Sequence, residues 1–249
     1  MCASPISASD WHEDPVNCLW RISRLPGAES FDQPQDRPVD QDVLTQNALH
    51  AVAWHLCARG HLVRGGHYAA REAASASLTA WHNVAREIAG TNPRPVSRAH
   101  AFHARLASHH QAAYRALARK QLSDLAACAR LKTEGLLAAV TAAEGDLHAA
   151  GVELDGISLA WRAGLPVRLP GLRAIELAAA AWCSASGDAG RAREAAARAA
   201  TVTGVFSAYP EDAPADWPKR PSQEELLRFA FAATRLPEAI ESWSIVQEA

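Results

Sequence analysis

QLSDLAACARLKTEGLLAAVTAAEGDL, residues 121–147, carries the pattern that decides the fold. Leu125, Cys128, Leu131, Leu136, Val140, Ala143 and Leu147 recur mostly at threes, fours and sevens. That spacing gathers apolar side chains on one face of an α-helix. The pattern reaches back through Phe102, Leu106, Ala113 and Leu117, and no proline interrupts it before Pro166. It predicts either one helix of about fifty residues ending at Gly151, or two helices meeting near Gly135 or Gly145.

The rest of the chain points the same way. Hydrophobic residues make up 49% of the 249, enough to bury a sizeable core. Much of that content is alanine, as in IELAAAAWCSA, the best helix former and a small side chain that lets helices pack closely. Strand-like runs of Val, Ile, Thr and aromatics are nearly absent. The expected fold is all-α: an elongated helical bundle with a long central helix or hairpin, followed by antiparallel helical hairpins.

Punctuation sets the expected boundaries. Residues 1–41 read as an irregular acidic arm, rich in Pro, Asp and Gln. A helix over 42–58 ends at Gly60, and a second over 67–89 ends at Gly90. These and the long central pattern form a basic helical bundle over 42–165. Helical hairpins follow over 166–249, with helices at 171–186 and 189–203 and a Pro-rich linker at 208–221. Ser222 with Glu225 matches a capping box, and a last helix starts after Pro237.

LAAAAWCSASGDAGRAREAAARAA, Leu177 to Ala200, resembles a tetratricopeptide-like helical hairpin. Small residues stand where the two helices would touch, and Gly187-Asp188 supplies the turn. The resemblance centres on residues 172–203, about one repeat, and no second copy follows at the 34-residue period. It implies helical-hairpin packing and a partner-binding groove. It assigns no functional residues.

Several chemistries find no support in the sequence. The five cysteines are scattered without a C-x-x-C pair, so buried thiols in a reducing cytoplasm are expected. No secretory leader and no membrane span are expected. No nucleophile, phosphate-loop or dinucleotide motif is present, so the chain reads as a non-enzyme without cofactor or metal. The histidines keep a third reading open, a His-bound metal or cofactor protein: His50 with His55, His61 with His67, and His100 with His103.

The charge distribution is the informative bias. The net charge of −2 hides a basic centre. Residues 59–132 hold twelve Lys or Arg against three acids, a net of +9, between acidic ends. On a helical wheel Arg98, Arg105, Arg115, Arg119 and Arg130 share one face, opposite the apolar one. As one helix they would form a stripe about 48 Å long. Without interspersed acids, such a row suits an anionic partner such as a nucleic-acid phosphate backbone. An acidic protein surface, including the chain's own acidic segments, is the alternative partner. The leading expectation is therefore sequence-independent nucleic-acid backbone binding as a subunit of an assembly. The alternative is a helical adaptor for a protein partner, which Trp11 and Trp20 in the acidic arm would help to grip.

Overall fold

The computed structural model describes residues 43–90, 111–167, 169, 171–202, 227 and 230–245. Every element among them is helical, and no strand occurs among the described residues. The helices are α1 (Val43–Val63), α2 (His67–Gly90), α3 (Gln111–Ala143), α4 (Leu147–Gly164), α5 (Leu172–Ala185), α6 (Ala189–Ala200) and α7 (Glu238–Ile245). Residues 230–233 form a further helical stretch ahead of α7. The acidic arm and the Ser222 capping box lie outside the described residues.

Six of these helices form three hairpins, α1–α2, α3–α4 and α5–α6, closed by the same turn. Gly65, Gly145 and Gly187 have φ of 75°, 99° and 88°. A Cβ is costly in that left-handed region, so glycine is the natural occupant. In each turn the glycine N–H returns three residues, to Leu62, Ala142 or Ser184. The next N–H returns five residues, to His61, Thr141 or Cys183. This pair of bonds satisfies carbonyls that the helix end would otherwise leave bare. The residue after the glycine then starts the next helix. Asp146 accepts from the Ala149 N–H at 2.9 Å and Asp188 from the Arg191 N–H at 3.1 Å. The turns stand 80 and 42 residues apart, so a search at 34 residues passes over them.

One boundary differs from the expected ones, and one open alternative is decided. Gly60 does not end α1; it is buried within the helix, and the chain turns at Gly65. The central pattern is a hairpin rather than one rod. It breaks at Gly145, while Gly135 stays inside α3, where its missing side chain makes room for Leu236.

Helices pack mainly on their neighbours in sequence: α1 on α2, α2 on α3, α3 on α4, α4 on α5 and α5 on α6. That nearest-neighbour order is typical of stacked hairpin arrays. One core joins α1, α2, one face of α3 with Leu122, Leu125, Ala129 and Leu136, and Leu227, Ala230, Phe231 and Ala233, with Trp81 tilted against Phe231 at 5.8 Å between ring centroids. A second joins another face of α3, with Cys128, Leu131 and Ala138, to α4, α5, α6 and α7 around Trp161, Leu172 and Ile175. Two contacts depart from sequential packing: α7 docks on α5 and α3, and α1 also touches α3.

Gly151 sets the closest approach between α4 and α5. A Cβ there would fall 2.8 Å from Cys183 Sγ and 3.0 Å from the Cys183 backbone nitrogen. Gly151→Ala is therefore expected to cost about 1–3 kcal/mol, because the backbones must separate. Gly156 lies on the same helix with open space beside it. Gly156→Ala is expected to gain about 0.5–1 kcal/mol from helix propensity. Urea midpoints of the two variants, moving in opposite directions, check this contrast.

Candidate partner-binding groove

The first helix of each hairpin reaches one shared groove of about 920 Å³. α1 supplies Arg59, Leu62 and Val63, α3 supplies Ala139, Ala142 and Ala143, and α5 supplies Trp182. α7 forms the remaining side with Glu238, Glu241 and Trp243. The second helices α2, α4 and α6 supply none of the described lining. Alanines keep the α3 side low, so the aromatic rings define the walls. Trp182 is nearly buried, whereas Trp243 keeps 37% of its surface exposed. Trp243 also borders a shallower depression between α5 and α6, with Leu177 and Arg193.

Arg59 brings the positive charge to a groove that also holds Glu238 and Glu241. Burial pushes its guanidinium pKa down, and Glu241 and Glu238 oppose that shift. Behind Arg59 stands His55, fully buried, which joins three elements. Its Nε2 lies 2.6 Å from the Arg235 carbonyl and its Nδ1 3.0 Å from Thr133 Oγ1. A carbonyl only accepts, so Nε2 carries the hydrogen and Nδ1 accepts from the threonine hydroxyl. The same hydroxyl lies 3.0 Å from the Ala129 carbonyl, so its single proton is shared. Burial, helped by the Arg59 charge, lowers the His55 pKa to about 3. The ring is neutral at pH 7, and both nitrogens are engaged within the protein.

Behind the α5 wall lies a second charged cluster. Glu176 is fully buried and accepts from Ser158 Oγ at 2.9 Å. It also accepts from Arg162 Nε at 2.6 Å and Nη2 at 3.0 Å, a two-pronged guanidinium–carboxylate contact. Arg162 reaches on to the Arg198 carbonyl at 2.6 Å and to Thr201 Oγ1 at 3.1 Å. Asp155 accepts from Arg191 at 3.2 Å and from Arg198. These ties bind α4, α5 and the end of α6 into one unit. Each carboxylate is met by arginine, so the cluster reads as a fastening of the scaffold.

The residues expected from sequence fare unevenly. Arg98, Arg105, Trp11 and Trp20 lie outside the described residues. Arg115 and Arg119 fall on α3, and their side chains lie outside the description. Arg130 is exposed and pairs with Glu134 at 3.7 Å. Lys120 pairs with Asp124 at 2.9 Å and Arg71 with Glu144 at 2.5 Å. Glu134 and Glu144 both come from just beyond the basic segment, so part of its charge is met within the chain. His50 accepts from Trp54 Nε1 at 2.8 Å, and among the described residues no three potential ligands gather as for a metal. No helix among the described residues is long and apolar enough to cross a membrane.

Sequence reasoning passed over Arg59, Trp182 and Trp243 as site residues. The repeated Gly-Asp at 145–146 and 187–188 was the available signal, because it marks hairpins whose first helices share a face. No protein-family model matches this chain, and no curated protein or solved structure matches it either.

Proposed function

We propose that this chain is a helical adaptor that holds a segment of another protein in the groove shared by α1, α3, α5 and α7. The observation that carries this reading is the convergence of all three first helices on one groove that combines two tryptophans and several alanines with charged side chains. Aromatic rings offer large contact area for little conformational entropy, which is why they dominate binding surfaces. Cys57, Cys128 and Cys183 are buried thiols, in keeping with a cytoplasmic home.

Backbone binding of nucleic acid by Arg98, Arg105, Arg115, Arg119 and Arg130 is the second reading. The +9 charge of residues 59–132 favours it. It ranks below the adaptor because Arg71, Lys120 and Arg130 already face acids of the chain.

Salt separates the two. An adaptor partner is expected to stay bound in 0.5 M NaCl and to be lost on Val63→Asp or Trp243→Ala, both at exposed positions in the groove. A high 260/280 absorbance ratio in the purified protein would favour nucleic acid. So would an affinity with a log–log salt slope of about −3.5 to −4.5, the value for five neutralised phosphates.

A further inference from the structure

We propose that the groove selects its partner by an arginine, whose guanidinium lies against Trp243 and Glu238 in the α7 wall. This deepens the adaptor reading and rests on it.

The described lining is rich in groups that attract a cation. It holds two carboxylates, Glu238 and Glu241, against one base, Arg59. Arg59 is already engaged, because Glu241 and then Glu238 act on its charge. Arg235 acts on Arg59 too, but it is not part of the lining. Among the described residues Glu238 makes no ion pair, and it stands exposed. One carboxylate of the groove is thus open to a partner's positive charge.

The backbone tips the balance the same way. The groove runs beside the last turns of α1, α3 and α5, at Val63, Ala143 and Trp182. These are the negative ends of three helix dipoles, and only the first turn of α7 brings a positive end. The N–H groups that return in the first two turns take the carbonyls of Leu62 and His61 and of Ala142 and Thr141. The Val63 and Ala143 carbonyls, which end α1 and α3 beside the groove, receive no backbone N–H among the described residues. Acceptors therefore outnumber donors along the groove.

The indoles choose among cations. Trp243 keeps 37% of its surface exposed, and an indole face is the best aromatic partner for a cation. A guanidinium is planar, so it can stack on that face while its edge donates to a carboxylate. An ammonium is a compact point charge without that geometry, which favours arginine over lysine. The low alanines of α3 leave room for the aliphatic stem, and Val63 offers it an exposed apolar contact. Glu238 also suits the first turn of α7 on dipole grounds. The deciding measurement is therefore binding rather than stability.

The probe is a set of random peptides of about twelve residues, displayed on phage and selected on the full-length chain in 0.5 M NaCl, which screens the basic segment. Peptides whose capture is lost on Trp243→Ala are expected to be enriched in arginine. The strongest is then synthesised in two forms, with its arginine and with glutamine in that place. Wild type should bind the arginine form about tenfold more tightly than the glutamine form. Glu238→Lys should remove that preference and leave the glutamine form unchanged, a coupling that a merely structural role for Glu238 would not produce. Glu238→Gln gives the same comparison if the lysine variant does not fold. Trp243-dependent peptides without a shared arginine, or a preference that survives the change at Glu238, overturn this inference and leave the adaptor reading standing. If no selected peptide depends on Trp243 or Val63, the adaptor reading falls and this inference falls with it.

Discussion

Glu176→Ala is expected to cost about 3 kcal/mol, the lower end of what removing one partner of a buried ion pair costs. The loss has two sources. Arg162 forfeits its two-pronged contact, and Ser158 loses its acceptor. Arg162 and Arg198 keep some exposure, which holds the effect below the upper end. For a domain of this size that corresponds to a fall in Tm of roughly 6–12 °C. Glu144→Ala is the contrast. Its pair with Arg71 is about equally short but exposed on both sides, and its loss should cost about 0.2–1 kcal/mol. Urea and thermal unfolding of the two variants give the comparison. Equal losses would mean that burial is not what gives the Glu176 cluster its weight.

The second large effect is a dependence on pH through His55. Its pKa is about 3 in the folded chain against an ordinary 6.5. The groups acting on it are cationic: Arg59 on α1 and Lys132 on α3 oppose a proton on the ring, and only the Arg235 carbonyl favours one. The folded state therefore binds fewer protons than the unfolded state between these values. The resulting stability is complete above about pH 6.5 and is lost progressively as pH falls toward 3. Between pH 7 and 4.5 the loss through this one group is about 2.7 kcal/mol, at about 1.36 kcal/mol per pH unit below 6.5. His55→Gln lowers stability at pH 7 but removes that slope. The measurement is the difference in urea midpoint between the two pH values for each chain. A His55→Gln chain as acid-sensitive as wild type would show that the ring does not titrate as its burial requires.

Local chemistry was enough for much of this molecule. Helix class follows from alanine and from three–four apolar spacing, because both act within a turn or two of chain. The Gly-Asp turns were legible for the same reason: a positive φ and a following cap need only neighbouring residues. Where sequence left an alternative, packing decided it. Gly135 and Gly145 look alike as letters in the 121–147 pattern. Gly145 became the turn because its neighbours form the capping bonds. Gly135 stayed helical because Leu236, a hundred residues away, uses the space. Gly60 was misjudged in the same way, since its burial beside other helices outweighs its weak propensity.

The groove was out of reach for a like reason. Arg59, Trp182 and Trp243 are far apart in the chain and carry no shared motif. The basic segment shows the converse. Its excess of positive charge is a true property of the sequence, yet Glu134 and Glu144 meet Arg130 and Arg71 only through the geometry of α3 and its turn. The amino-acid sequence by itself determined the helices, their turns and the uneven charge, all set by interactions within about one helical turn. Tertiary structure alone decided which helix faces share a groove, which carboxylates are buried with arginine, and that His55 stays neutral. Each of those depends on desolvation by residues brought together only when the hairpins stack.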